Sequence, residues 1–186
     1  MSKTIEIFAG PNGSGKTTFA KSLLENRKNF MSFNSDVIAS GLTKGAHDSI
    51  QFEAGRFMLH NVEKAISTQK SFAFETTFSG KLWSNHLIKA KEEGYHIIIY
   101  FLFVDSIELS LKRIQKRVKA GGHNVDKKIV KRRYKRTFRN MVDLYSKLAD
   151  EWFVINNSGQ KPKVVAFNAA DNLTINDKKI FNKYFL

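Results

Sequence analysis

The segment at residues 10–18 has the residue types and spacing of a phosphate-binding loop. It consists of Gly10-Pro11-Asn12-Gly13-Ser14-Gly15-Lys16-Thr17-Thr18. Two glycines separated by four residues and followed by Lys and a hydroxyl residue form the P-loop pattern. The backbone N–H groups of such a loop surround phosphate oxygens at the positive end of the following helix. Lys16 is expected to reach the β- and γ-phosphates and Thr17 to bind Mg²⁺, while Ser14 and Thr18 add phosphate contacts. The loop therefore predicts ATP and Mg²⁺ as ligands.

A carboxylate that follows the second apolar run is a candidate catalytic base. Asp36 comes two residues after the run at 30–34. The carboxyl ends of neighbouring parallel strands open on one crevice, so Asp36 is expected to face the γ-phosphate and accept the proton of an acceptor hydroxyl. The alternative is that Ser35 or Asp36 caps a short helix that starts at Val37. We favour the catalytic interpretation.

Three polar residues follow the third apolar run, at the same predicted edge of the sheet. Glu75, Thr76 and Thr77 come directly after residues 72–74. A carboxylate and two hydroxyls at this position suit the binding of a phosphoryl acceptor or of a metal-bound water. In the alternative interpretation, Thr77 or Ser79 caps the next helix.

Asp105 follows the longest apolar run, Ile97 to Val104, and has two interpretations. Many P-loop enzymes hold Mg²⁺ with an Asp at the end of such a strand. Asp105 and Glu108 also have the spacing of a capping box. Here we favour the cap.

The strongest concentration of positive charge lies between residues 112 and 139, where 13 Lys and Arg residues accompany one Asp. A helix, the glycine pair Gly121-Gly122 and a second helix predict a basic lid over about residues 117–136. A mobile segment can close after the substrates have bound, and its cations then stabilise the transferring phosphoryl group while the segment excludes water. The catalytic candidates are Arg117, Arg133 and Arg136, and His123 is a candidate substrate contact. The alternative is that most of these charges form the solvated face of an amphipathic helix.

Short apolar runs alternate with segments of helical periodicity, which predicts an α/β fold with a mostly parallel five-stranded sheet and helices on both faces. The expected strands are 5–9, 30–34, 72–74, 96–104 and 152–155. The expected helices are 16–26, 48–69, 80–92, 106–119 and 126–150. Residues 1–186 are expected to form one domain, in which a C-terminal extension at 159–186 adds an edge strand at 164–167 and a helix near 176–184.

Composition excludes several classes of protein. The 186 residues contain no cysteine, which excludes disulfides, thiolate catalysis and Cys-based zinc sites. The longest apolar run, 8 residues, is too short to cross a bilayer, and no signal peptide is evident, so we expect a cytoplasmic protein. A formal net charge of +14 favours an anionic partner such as a nucleotide, a sugar phosphate or RNA.

The combination of these segments resembles the zeta-toxin family of P-loop kinases, in particular its short members. The matching segments are residues 10–18, Asn34-Ser35-Asp36, residues 74–80, and residues 117–123 leading into Arg132-Arg133-Tyr134. The resemblance implies that Lys16 binds ATP phosphates, that Asp36 is the catalytic base, and that Glu75 and Thr77 bind substrate. Members of the family phosphorylate a hydroxyl of UDP-N-acetylglucosamine and are usually held in check by an antitoxin.

The sequence thus predicts an ATP- and Mg²⁺-dependent kinase for a small hydroxyl-bearing acceptor, of the sugar-nucleotide class. Two other functions remain open at this stage. The positive charge favours a polynucleotide or RNA-directed phosphotransferase. The phosphate-binding loop alone is also compatible with a nucleotide-binding switch that hydrolyses ATP slowly and acts through a partner.

Overall fold

A computed structural model describes residues 3–27, 30–34, 47–122 and 124–186, without the side chains of residues 47–52. Asp36 and His123 lie outside these residues. One sheet runs through the described structure in the order β2-β3-β1-β4-β5-β6-β7. Its strands are Thr4–Ala9 (β1), Met31–Phe33 (β2), Phe72–Thr76 (β3), His96–Phe103 (β4), Glu151–Asn156 (β5), Lys163–Ala169 (β6) and Asn172–Ile175 (β7).

The predicted α/β class and mostly parallel sheet are confirmed, but the predicted number of strands is wrong. Strands β1 to β5 pair in parallel, as expected for the five runs. The tail then adds β6 and β7 in antiparallel pairing, which makes seven strands rather than five. The predicted edge strand at 164–167 corresponds to β6. Strand β7 was not predicted, because most of its residues are exposed and it contains no apolar run.

The helices of the described residues connect these strands. Their bounds are Lys16–Leu24 (α1), His47–Ser67 (α2), Trp83–Glu92 (α3), Ile107–Lys119 (α4), Lys127–Asn140 (α5) and Lys178–Phe185 (α6). Helix α5 continues through a π-helical turn, Met141–Tyr145, and a short α-helical turn, Ser146–Leu148. The segment predicted as one helix at 126–150 therefore contains a local change of helical pitch.

The central strands are buried on both faces because helices cover both sides of the sheet. Side chains alternate along a strand, so Ile7 and Phe8 point to opposite faces. Phe8 packs with Ala20 and other apolar residues of α1. Ile7 belongs to the larger cluster on the other face, which includes residues of α2, α3, α5 and α6. The parallel strand order β2-β3-β1 places the carboxyl ends of these three strands next to one another.

Helix α5 is attached to the core by one apolar side. Val130, Tyr134 and Phe138 are buried, and the Tyr134 hydroxyl donates to the Val104 carbonyl. Burial raises the pKa of Tyr134, so this hydroxyl stays protonated near neutral pH. The other side of α5 faces solvent and carries its basic residues.

No helix of the described residues is both long enough and apolar enough to cross a lipid bilayer.

Candidate active site

The phosphate-binding loop lies between the end of β1 and the start of α1, as the sequence predicts. Two of its glycines permit contacts that a side chain would prevent. A Cβ atom at Gly10 would lie 1.9 Å from the Leu102 carbonyl oxygen, and one at Gly13 would lie 2.6 Å from the Ser110 carbonyl oxygen. Both glycines also have positive φ, 137° and 75°. The glycines therefore let the loop sit directly on β4 and α4.

The loop is held in shape by contacts from its own lysine and from β5. Lys16 Nζ donates to the carbonyls of Gly10 at 2.9 Å and Pro11 at 3.0 Å. The Ser14 side chain is fully buried, and its carbonyl accepts from Asn157 Nδ2 at 2.8 Å. Asn157 directly follows β5, so a residue at the carboxyl end of this strand helps to fix the loop.

Thr17, Glu75 and Asn34 form a hydrogen-bonded cluster beside the loop. The Thr17 hydroxyl donates to Glu75 Oε2 at 2.7 Å, and Asn34 Nδ2 donates to Glu75 Oε1 at 2.6 Å. Asn34 Nδ2 also lies 3.3 Å from Thr17 Oγ1. Glu75 is only 9% exposed, so these donors offset the cost of burying its carboxylate. The three residues come from α1, the end of β2 and β3.

The other polar residues after β3 form a turn of their own and do not cap a helix. Thr77 Oγ1 and Ser79 Oγ lie 2.9 Å apart, and the Phe78 N–H donates to Thr76 Oγ1 at 3.2 Å. Phe78 has a positive φ of 50°. The capping role considered for Thr77 and Ser79 is wrong, because α3 begins at Trp83 and its first turn has no side-chain cap.

This turn is held by the end of the basic helical region. Asn140 Nδ2 donates to the Phe78 carbonyl at 2.7 Å, and the Tyr145 hydroxyl donates to the Gly80 carbonyl at 2.7 Å. The rings of Phe78 and Tyr145 stack with their centroids 3.7 Å apart. Burial raises the pKa of Tyr145 to about 12, so its hydroxyl remains a donor at physiological pH. The substrate candidates Thr76 and Thr77 are thereby positioned from α5 and the π-helical turn.

Two cavities meet at the cluster of Thr17 and Glu75. The first, of about 470 Å³, lies over the phosphate-binding loop and extends to α4 and to the turn after β5. The second, of about 840 Å³, lies between α1, β2 and α2. Thr17 and Glu75 line both cavities. A group bound in one cavity therefore approaches a group bound in the other at these two side chains.

The predicted lid arginines occupy different environments. Arg117 lines the first cavity together with Arg113 of the same helix. A Cβ atom at Gly122 would lie 2.6 Å from Arg117 Cγ, so the second glycine of the pair leaves room for the arginine stem. Arg133 is half-buried and Arg136 is exposed. Neither is among the described residues that line the first cavity, and their catalytic roles remain predictions.

Asp105 is neither the cap that we favoured nor a neighbour of the loop cavity in the described structure. The cap of α4 is Ser106, whose hydroxyl accepts from the Leu109 N–H at 3.1 Å. Asp105 instead accepts from Asn156 Nδ2 at 2.8 Å, and its own N–H donates to Ser158 Oγ at 2.8 Å. The carboxylate thus stabilises the turn after β5.

Three residues of the site were missed in the sequence: Asn34, Arg113 and Asn157. The only available signal for Asn34 and Asn157 was a polar residue at or near the end of an apolar run, similar to the signal that identified Glu75. Arg113 was one basic residue among many, and only the packing of α4 beside the loop distinguishes it.

The parallel strands β1 to β5 and the phosphate-binding loop between β1 and α1 define an α/β fold of the P-loop class. The family model of the zeta toxins matches residues 1–169, and the chain belongs to that family. An uncharacterized protein of Haemophilus influenzae is 32% identical over 128 residues, which are 69% of this chain and 90% of the relative.

Solved structures with low sequence identity share the fold. A chain of the AvrRxo1-ORF1:AvrRxo1-ORF2 complex is 18% identical and has a TM-score of 0.78, with 99% of this chain and 64% of that chain covered. The present chain therefore spans slightly less than two thirds of that protein, which has also been solved with ATP. A structure from the PezAT chromosomal toxin-antitoxin system of Streptococcus pneumoniae is 14% identical, with a TM-score of 0.63 and coverages of 100% and 79%.

Proposed function

We propose that the chain transfers the γ-phosphate of ATP to a hydroxyl of a small acceptor, of the sugar-nucleotide class. The observation that carries this proposal is the pair of cavities that share Thr17 and Glu75. A kinase must bring a nucleotide and an acceptor together at one point while keeping both away from water. Two separate cavities with a polar junction meet that requirement.

The cavity over the loop is the nucleotide side. The loop amides and Lys16 bind the phosphate tail, and Arg113 and Arg117 add positive charge from α4. These cations stabilise the charge on the transferring phosphoryl group, which is the main contribution of a protein to this reaction. The AvrRxo1 complex solved with ATP supports the choice of nucleotide.

The oxygen atoms of Thr17 and Glu75 suit a magnesium ion. A hydroxyl and a carboxylate are ligand types that Mg²⁺ accepts, and here they lie 2.7 Å apart. Held by these two residues, a magnesium ion would supply positive charge that offsets the charge of the phosphates. Asn34 donates to the second carboxylate oxygen and so orients Glu75 toward Thr17.

The cavity between α1, β2 and α2 is the acceptor side. Its volume of about 840 Å³ lies within the range of ordinary small-molecule sites, roughly 300–1,000 Å³. Phe33 and Phe57 supply apolar surface, whereas Asn34 and Asn61 supply amide groups. Asp36, two residues after Asn34, serves as the base that takes the proton of the acceptor hydroxyl. Membership of the zeta toxin family supports a UDP-sugar as the acceptor.

The same family membership supports two further features of this function. We place the reaction in the cytoplasm, where ATP is available. We also propose that an antitoxin protein restrains the enzyme, by analogy with the PezAT toxin-antitoxin system.

The direct test is phosphate transfer from γ-labelled ATP to a panel of UDP-sugars, amino sugars, nucleosides and tRNA. We expect label in a UDP-sugar, and a loss of about a hundredfold or more in the Lys16→Ala variant. Calorimetry with ATP and Mg²⁺ provides the companion measurement of nucleotide binding. Binding of ATP without transfer to any acceptor would contradict the kinase proposal, and transfer to tRNA alone would contradict the small-molecule acceptor.

A further inference from the structure

Every exposed residue of α5 is a lysine or an arginine. These residues form a surface that we call the basic ridge: Lys127, Lys128, Lys131, Arg132, Lys135, Arg136 and Arg139. Among the described residues, none of them forms an ion pair with an acidic side chain. The neighbouring helix α4 contributes further exposed lysines, Lys112, Lys116 and Lys119.

The arrangement of these charges opposes the stability of the helix. Lys127, Lys131, Lys135 and Arg139 follow one another at i, i+4 spacing, and so do Lys128, Arg132 and Arg136. Like charges at this spacing repel each other and destabilise a helix. Acidic residues at some of these positions would give stabilising pairs instead. Binding of an anionic partner to this surface would relieve the repulsion.

The composition of the ridge distinguishes between two kinds of anionic partner. The centre of a protein–protein interface is apolar and depleted of lysine. The ridge is rich in lysine, and α5 has no exposed apolar side chain. Interfaces with nucleic acids are more polar and more positively charged than those with proteins. The ridge therefore fits a nucleic acid better than an acidic protein.

The charges repeat at a regular interval along the helix, as phosphates do along a nucleic-acid backbone. Residues four positions apart on a helix are separated by about 6 Å along its axis. The ridge thus presents two rows of cations at a constant interval. Such a surface contacts phosphates in a manner independent of sequence.

We propose that the basic ridge binds the phosphate backbone of a nucleic acid, on a surface outside the two cavities of the active site. The proposal concerns a binding surface and does not rest on the kinase reaction. The exposed lysines used in the test below do not line either cavity. A variant of the loop, Lys16→Ala, is therefore expected to keep nucleic-acid binding while it loses nucleotide binding.

The test measures binding of a labelled single-stranded RNA oligonucleotide by fluorescence anisotropy over a range of salt concentrations. Six phosphate contacts correspond to a slope of about −4 in log K against log salt, or a loss of roughly 300-fold in affinity between 50 and 200 mM. DNA of the same sequence presents the same charged backbone and reports any contribution of the 2′-hydroxyl. A poly-glutamate peptide of equal charge represents an acidic protein.

The variant Lys128→Glu, Lys131→Glu, Lys135→Glu tests the location of the surface. Loss of three contacts should reduce the slope to about −2 and weaken binding at least about tenfold at low salt. The matched control reverses three exposed lysines elsewhere, Lys64, Lys70 and Lys81, for the same change in net charge. The corresponding Lys→Gln triple variant, together with thermal melting, separates a loss of charge contacts from a loss of folding.

Three results would overturn the proposal. The first is the absence of binding to either oligonucleotide at 50 mM salt. The second is equal weakening by the ridge variant and by the control, which would show a diffuse effect of net charge. The third is tighter binding of the poly-glutamate peptide than of RNA and DNA, which would identify an acidic protein as the partner.

Discussion

Asn157 Nδ2 donates to the Ser14 carbonyl at 2.8 Å, so the residue after β5 holds the phosphate-binding loop from outside. A Cβ atom at Gly15 would lie 2.5 Å from the same amide nitrogen, which shows how closely the two segments approach. The shape of the nucleotide site therefore depends on a strand that contributes no residue to the P-loop pattern.

We expect Asn157→Ala to weaken ATP binding about fivefold, because one hydrogen bond that fixes the loop is worth about 1 kcal/mol. Calorimetry with ATP and Mg²⁺ measures the change. Asn172→Ala, at the exposed start of β7, is the control and should leave the affinity unchanged. Equal affinities of wild type and Asn157→Ala would show that the loop keeps its shape without this contact.

Glu75→Gln should reduce kcat by about a hundredfold or more while the protein stays folded. The amide keeps the size of the side chain, but it removes the charge that would hold Mg²⁺ next to Thr17. Measuring the rate at increasing Mg²⁺ should show a higher requirement for the ion. Asn34→Ala leaves the Glu75 carboxylate in place and removes only the hydrogen-bond donor that orients it. We therefore expect a smaller loss of kcat than in Glu75→Gln. An unchanged Mg²⁺ dependence in Glu75→Gln would contradict the proposed role of this residue.

Asp36→Asn should reduce kcat by roughly 10²- to 10⁴-fold, the usual contribution of a general base. Nucleotide binding should be almost unaffected, since this role concerns the acceptor hydroxyl. Single-turnover transfer of label and calorimetry with ATP separate the two effects. Ser35→Ala is the neighbouring control. Full activity of Asp36→Asn would favour the helix cap that was the alternative from the sequence.

Arg117 and Arg136 are expected to differ in their contribution to catalysis. Arg117 lines the nucleotide cavity, whereas Arg136 is exposed on the basic ridge. Arg117→Ala should lower kcat/KM for ATP about a hundredfold or more, because a lost cation leaves transition-state charge unbalanced. Arg136→Ala should have a clearly smaller effect. Steady-state kinetics on both variants provides the comparison, and the reverse order would indicate that α5 closes over the nucleotide.

Asp150 should contribute stability that depends on pH. Burial alone would raise its pKa, but the Ile97 N–H at 2.7 Å, Lys91 at 2.9 Å and nearby His96 lower the pKa below its usual value of 3.8. A lowered carboxyl pKa gives stability that is present above the unfolded-state pKa and is lost as the pH falls through the folded-state pKa.

Asp150→Asn should therefore destabilise the protein by about 1–2 kcal/mol at neutral pH, since hydrogen bonds to a charged acceptor are lost. The difference from wild type should shrink as the pH falls below about 4. Urea unfolding at several pH values measures this trend. A difference that stays constant down to strongly acidic pH would show that the charge of Asp150 makes no contribution.

The phosphate-binding loop could be predicted from the sequence because all its residues are contiguous and their spacing is fixed by the contacts of the backbone. The five parallel strands could be predicted because each is a short apolar run, and β1, β3 and β4 are also largely buried. By contrast, β7 consists mainly of exposed residues, so no hydrophobic pattern marks it.

Tertiary contacts explain the predictions that failed. The helix expected from Gly80 begins only at Trp83, because the preceding turn is held by Asn140 and Tyr145 from a distant part of the chain. Asn157 lies 143 residues from Ser14, and only the pairing of β4 with β5 brings them together. Such partners cannot be read from local patterns in a single sequence.

The contacts of Asn140 and Tyr145 with the turn after β3 have a mechanical consequence. Both donors belong to the same continuous helical segment that carries the basic ridge, and they bind the Phe78 and Gly80 carbonyls in the turn that contains Thr77. A tilt of that segment would strain the two hydrogen bonds that hold this turn. The basic ridge and the turn that contains Thr77 are thus connected through one helical segment.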